Sequence, residues 1–271
     1  MRPARLDDQP RRAKFPRPRK RLPGMAREST KAGTERRSDR ELLQTMAVRL
    51  MVIAEECVDP ATRLKLRRLV EQVHSSYLPL EEAYAQLNIV QDFIPAGHSN
   101  RPGKRLVPTA ITIHNTDNIE PGANAAAHAQ YQKCADARRR KVSWHFTVDD
   151  KRVYQSLPIN EIGWHTHTKK GNAISIGVQI CMNSDLDASA AYRRAALLTA
   201  VLAFQNEIEV PKQIFQHYDW SGKNCPRVLR DITNSWQNFL VQIQDFRDKL
   251  VIIPALAIAP PQTRDHHLFG Q

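Results

Sequence analysis

Thr109-Ala110-Ile111-Thr112-Ile113-His114 is a β-branched run that ends on a histidine. β-Branched side chains are stiff at χ1 and pack well on a pleated surface, so the run predicts a buried strand that delivers His114 to its end. Two more strands are expected in the same sheet, a largely apolar one at 174–181 and a short one at 213–216. The segments 145–148 and 152–156 flank Asp149-Asp150-Lys151, the pattern of a hairpin. An alanine-rich helix is expected at 123–132, followed by a polar loop at 134–140. At 190–205, Ala191, Ala195, Leu198, Val201 and Leu202 share one face of a helix that should cover the sheet, and a closing helix is expected at 235–250. These elements add up to an α/β fold with a central mixed β-sheet flanked by helices, preceded by a small helical region.

Toward the N-terminus the pattern changes. Leu42, Leu43, Met46, Ala47, Leu50, Ile53 and Ala54 form one helical stripe, and Leu66, Leu69, Val70 and Val73 form a second after Asp59-Pro60. A helical hairpin is expected, with a third short helix at 79–87. Residues 1–40 hold 14 Lys or Arg against 5 Asp or Glu, so most of the net charge of +12 is concentrated there. With five prolines as well, this reads as a disordered basic tail, either an electrostatic contact, a solvated extension, or a stretch upstream of a true start at Met25. The expected organisation is a tail at 1–38, the helical region at 39–87, the main domain at 88–250 and a C-terminal tail at 251–271. The basic tail lacks interleaved aromatic residues, so nucleic acid is not the expected partner.

The four cysteines, Cys57, Cys134, Cys181 and Cys225, are too scattered for a disulfide framework. No apolar run approaches the roughly 20 residues of a membrane span, and no apolar segment follows the basic N-terminus as a secretory signal requires.

One polar stretch concentrates reactive side chains: Gln216-His217-Tyr218-Asp219-Trp220-Ser221-Gly222-Lys223-Asn224-Cys225-Pro226. Read as a loop folded back at Ser221-Gly222, it points an imidazole and a thiolate at one ion. Zinc accepts such mixed ligands. His114, from the strand end, supplies the third, leaving one position open to water as in catalytic rather than structural zinc sites.

The segments Ile113-His114-Asn115-Thr116, Ser143-Trp144-His145-Phe146-Thr147-Val148-Asp149-Asp150, Gly163-Trp164-His165, 172–181 and 217–226, in this order, resemble the zinc-dependent N-acetylmuramoyl-L-alanine amidases of the type 2 family, which are related to peptidoglycan recognition proteins. The lead-in Asp92-Phe93-Ile94-Pro95 with Asn100-Arg101-Pro102-Gly103 resembles the Gram-positive and phage-type branch. The resemblance covers about residues 88–232. It implies a zinc ion on His114, His217 and Cys225, with Lys223 beside the scissile carbonyl. It implies peptidoglycan or a muropeptide as substrate and the cell wall or periplasm as the place of action. Asn115, Trp164 and His165 become candidates for the substrate groove, Trp164 as a sugar-stacking face or as a core tryptophan. His145 is expected to be structural.

Two positions depart from the family pattern. Trp144 stands where many relatives have a tyrosine beside the metal, and an indole offers only its ring N–H. Gln179 stands where hydrolytic relatives carry a glutamate that accepts a proton; an amide keeps the shape without that capacity. The expected activity is zinc-dependent hydrolysis of the bond between N-acetylmuramic acid and L-alanine. The alternative is a catalytically weak or inactive peptidoglycan-binding protein.

Overall fold

In a computed structural model of the chain, the described residues are 46, 49, 50, 52–75 and 77–252. The basic tail, the start of the first helical stripe and the C-terminal tail from 253 onward lie outside them. Residues 52–56 are helical, and α1 (Pro60–Ser75) follows. Asp59 starts α1: its carboxylate accepts a hydrogen bond from the Thr62 backbone N–H at 2.9 Å, and Pro60 occupies the first helical turn, where a missing N–H is harmless.

The elements that follow are β1 (Leu78–Pro79), α2 (Leu80–Leu87), β2 (Ile89–Gln91), β3 (Ala110–Asn115), α3 (Ala125–Tyr131), α4 (Ala135–Arg140), β4 (Phe146–Val148) and β5 (Val153–Gln155). Then come α5 (Lys169–Ile174), β6 (Ser175–Ile180), α6 (Ala188–Gln205), β7 (Ile214–Gln216), α7 (His217–Ser221), α8 (Arg227–Asp231), α9 (Ser235–Lys249) and β8 (Leu250–Val251). Strands β2-β5-β4-β6-β3-β7 form one sheet, in which the β4–β5 hairpin is antiparallel and every other pairing is parallel. Strand β1 pairs with β8, and Ala83 and Leu87 of α2 lie in the same core as the main sheet.

The 134–140 stretch, expected as a polar loop, is a helix from Ala135 to Arg140. Asp136 sits in its first turn and Arg138, Arg139 and Arg140 in its last, each sign opposing the partial charge of the helix end beside it. Lys141, with φ 52°, then turns the chain away.

Alternation along β3 and β6 divides the sheet into two unlike faces. Ile111, Ile113, Ile176, Val178 and Ile180 join one apolar cluster with Ala191, Ala195, Leu198 and Leu202 of α6. On the other face, register pairs Thr112 with Gly177 and His114 with Gln179, and Gln179 with Thr147 of β4. Thr147, Gln179 and His114 therefore stand in a row across three strands.

Candidate functional site

Strands β3 and β7 are parallel neighbours, with Ile113 opposite Gln216. Their C-terminal ends therefore deliver His114 and His217 side by side, where open α/β sheets commonly bind ligands. The two Nδ1 atoms are 3.1 Å apart. The stretch expected as an irregular loop begins with one helical turn, α7. Gln216 and Asp219 cap that turn reciprocally, and Asp219 accepts the Gln216 backbone N–H at 2.7 Å. Gly222, at φ 75°, ends it in the left-handed region that glycine adopts without strain. The chain reverses there, and the Tyr218 N–H donates to the Cys225 carbonyl at 3.0 Å. Cys225 Sγ comes to 3.8 Å from His114 Nδ1. Ligand atoms of His114, His217 and Cys225 all lie within 4.8 Å of one another, and all three residues are buried.

A chain of hydrogen bonds sets the orientation of His114. The Ser175 backbone carbonyl can only accept, so His165 Nε2, 3.2 Å away, carries the proton. Burial, and the neighbouring His145 after it, holds His165 well below the ordinary imidazole range, so the ring is neutral and its Nδ1 accepts. His114 Nε2, 3.0 Å from that Nδ1, then donates and leaves the His114 Nδ1 lone pair facing His217 and Cys225. Burial pushes His114 down strongly and His217 down to about 4. Nε2 of His217 has no hydrogen-bond partner of normal geometry among the described residues. Burial raises the Cys225 thiol, and the Asn115 backbone and Lys223 ammonium oppose it. Two neutral imidazole nitrogens and a thiol thus converge at a point where a bound cation would satisfy all three.

The other expected site residues are distributed differently. His165 lines the cavity beneath His114, where it is 6% exposed and both ring nitrogens are engaged. The side-chain N–H of Asn115 donates to the Tyr192 hydroxyl at 2.8 Å, and its Oδ1 accepts from the Val228 N–H at 3.1 Å. It thereby ties the segment after Cys225 to the end of β3. Trp144 is buried, and its indole N–H is taken by Thr147 Oγ1 at 2.7 Å, so no donor remains there for a reacting oxygen. Gln179, half-buried beside His114, has an Oε1 with no hydrogen-bond partner among the described residues. Lys223 is exposed at the mouth, and Trp164 is half-buried in the wall. Gln179, Lys223, Trp144, Trp164 and the three ligand residues border one cavity of about 350 Å³.

His145 is not among the clustered ligands. Its Nδ1 accepts the Gly177 N–H at 2.9 Å and its Nε2 donates to the Glu161 carbonyl at 2.8 Å, a structural bridge. Sequence reasoning missed Ser175, Gly177 and the orienting role of His165. A Cβ on Gly177 would lie 2.9 Å from the His165 ring, so the absence of a side chain makes room for the orienting histidine. A glycine inside an apolar strand is the available signal, since it often marks such a close approach. Asn172 was also overlooked as a clamp: its Oδ1 accepts from the backbone N–H groups of His165 and Thr166, at 3.0 and 2.9 Å.

A family model described as N-acetylmuramoyl-L-alanine amidase matches residues 99–228. N-acetylmuramoyl-L-alanine amidase XlyA of Bacillus subtilis (strain 168) is 47% identical over 155 residues, which are 56% of this chain and 50% of XlyA. N-acetylmuramoyl-L-alanine amidase CwlH of the same organism is 44% identical over 155 residues, 56% of this chain and 60% of CwlH. The chain therefore spans between half and three fifths of the length of these curated relatives. The solved catalytic domain of XlyA matches with a TM-score of 0.54 at 46% identity, covering 58% of this chain and 99% of that one.

Proposed function

The chain belongs to the N-acetylmuramoyl-L-alanine amidase family, and from that premise we propose that it hydrolyses the amide bond between the lactyl group of N-acetylmuramic acid and L-alanine in peptidoglycan, with a zinc ion held by His114, His217 and Cys225. The observation that carries this reading is the convergence of three buried ligand atoms within 4.8 Å on a cavity of about 350 Å³. The donor set fits the ion: two imidazole nitrogens and one sulfur leave a tetrahedral zinc one open position. When bound, zinc supplies a Lewis acid for the amide oxygen and lowers the pKa of water.

The chain's own residues do the rest. His165, held by the Ser175 carbonyl, keeps the His114 lone pair aimed into the cavity. Cys225 ligates as the thiolate, so affinity for the ion rises with pH. Lys223 places a positive charge at the mouth, where negative charge develops on the carbonyl oxygen. Trp144 serves as an apolar wall, and Trp164 as the wall against which sugar or peptide lies. Gln179 offers its unpartnered amide oxygen as a hydrogen-bond acceptor and does not take up a proton at ordinary pH. The catalytic unit in this reading is the expected 88–250 span extended by the elements packed on it, β1, α2 and Val251 of β8, so that it runs from Leu78 to Val251.

The test is digestion of purified muropeptides with the zinc-loaded protein, read by mass spectrometry. New L-alanine amino termini are expected, and they disappear with chelator or in His217→Ala. Full zinc loading without any such release overturns the reading. Gln179 favours a second one, retention on the wall without turnover. Pull-down on intact wall with no release of peptide, and release restored in Gln179→Glu, would establish it.

A further inference from the structure

The single turn of α7 carries a second inward side chain besides His217. Trp220 lies three residues further on, and positions i and i+3 of a helix share a face. Its indole folds back over the edge of the sheet: it packs on Phe215 of β7, with 4.8 Å between ring centroids, and its Nε1–H donates to Thr112 Oγ1 of β3 at 3.0 Å. Register places Phe215 opposite Thr112, so both contacts fall on the polar face that carries His114.

The bond to Thr112 opens a directed chain. An indole N–H can only donate, so the Thr112 hydroxyl accepts it and gives its own proton to Ser175 Oγ, 2.9 Å away. Ser175 Oγ in turn donates to the Gly171 carbonyl within α5 at 2.7 Å. Each hydroxyl is used once as acceptor and once as donor, and Thr112 and Ser175 are fully buried. The same glycine receives the ring: a Cβ on Gly171 would lie 2.8 Å from Trp220 Cδ2, so the missing side chain makes room for the indole. Ser175 thus belongs to two networks at once. Its hydroxyl lies in this chain, while its carbonyl accepts the His165 ring N–H that sets the direction of His114.

His217 has no such holder. Its Nε2 lacks a hydrogen-bond partner of normal geometry among the described residues, so its direction comes from the backbone turn that carries it. The caps at Gln216, Asp219 and Gly222 hold the two ends of that turn. The indole bond, made from its side, fixes its rotation about its own axis. We propose that Trp220 is a positioning residue for the metal site, which locks His217 through the turn they share and His114 through Thr112, Ser175 and His165, so that the two imidazoles keep one relative direction. This rests on the reading of His114, His217 and Cys225 as zinc ligands, and not on which bond is cut.

The test measures zinc affinity of the full chain by competition with a chromophoric chelator, per folded molecule, together with the absorption spectrum of the cobalt-substituted protein. Thr112→Val keeps the shape of the side chain and removes its hydroxyl, and Trp220→Phe keeps a ring against Phe215 and removes the N–H. Each is expected to weaken zinc binding by about tenfold, the lower end of the cost of losing a partner behind a ligating histidine. Each should also shift the cobalt bands, which follow ligand geometry. The double variant should bind no more weakly than either single one, because both remove the same bond. Thr112→Ser, which keeps the hydroxyl, should bind zinc as the parent does. Should Trp220→Phe fail to fold, the two Thr112 variants decide. Parental affinity and an unshifted cobalt spectrum in Thr112→Val, with only the urea midpoint lowered, make Trp220 a packing residue and overturn the proposal. Effects that multiply in the double variant, or a Thr112→Ser protein as weak as Thr112→Val, overturn it as well. All of these leave the zinc ligands standing, whereas a parent protein that binds neither zinc nor cobalt overturns the ligand reading and the proposal with it.

Discussion

The two faces of strands β3 and β6 are held together by different forces. Ile111, Ile113, Ile176 and Val178 are fully buried against α6, and no polar atom is needed to hold them. Thr112, His114, Ser175 and Gly177, one residue out of step, are equally buried, and hydrogen bonds organise their contacts. The first face is held by dispersion and exclusion of water; the second is a hydrogen-bonded network in a low-dielectric interior. The difference shows that a period of two lets six consecutive residues carry a core and a reactive site, so neighbouring substitutions should produce unrelated defects.

The largest expected effect is a gain on the polar face. Gln179→Glu should raise kcat by about 10²–10⁴, the usual worth of general acid–base assistance. Release of muropeptides measures it, and an unchanged kcat would place the proton acceptor elsewhere. Ile176→Ala, on the apolar face, should lower stability by about 2–5 kcal/mol, as Ile→Ala does in well-packed cores. Urea unfolding measures that loss, while zinc bound per folded molecule should stay constant. His165→Ala, back on the polar face, should weaken zinc binding by about 10–100-fold, the typical cost of losing a partner behind a ligating histidine. Competition with a chromophoric chelator reads it, and an unaltered affinity would show that His114 needs no orienting partner.

The smallest effect lies at the sheet's margin. Arg101 Nε and Nη2 donate to the two Glu161 oxygens at 2.8 and 2.6 Å, and this pairing, opposed by partial burial, holds the Glu161 carboxyl below its ordinary range. A folded-state pKa below the unfolded value means that the stabilisation is complete above the ordinary carboxylate range. It is lost as pH falls through the lowered pKa. Glu161→Gln should therefore cost about 1 kcal/mol at neutral pH, with the difference vanishing in acid. Urea midpoints across the acid range check both parts.

Much of the apolar face was legible in sequence, because β-branched runs at 109–114 and 174–181 and the alanine-rich stripe at 190–205 state their burial directly. His114, His217 and Cys225 were legible as a possible donor set from residue type and position. The orienting role of His165 was not, because it depends on the Ser175 carbonyl and on room above Gly177, which exist only once α5 and β6 are in place. Helix α4 was missed for a different reason: six residues with three arginines carry no apolar periodicity, and its end charges decide it instead. The turn at His217–Ser221 was likewise hidden in a polar stretch whose capping partners lie within the motif itself.

The pairing of β3 with β7 has a further consequence for assembly. His114 and His217 are 103 positions apart, and they meet only when the last strand of the sheet docks on the third. Before that event the chain holds a histidine at one place and a histidine–cysteine pair at another, neither of them a three-ligand site. An ion that binds the completed arrangement and not its parts favours closure by mass action, in proportion to the logarithm of its free concentration. Metal supply would thus act as a thermodynamic latch on the edge of the sheet, where β7 docks on β3.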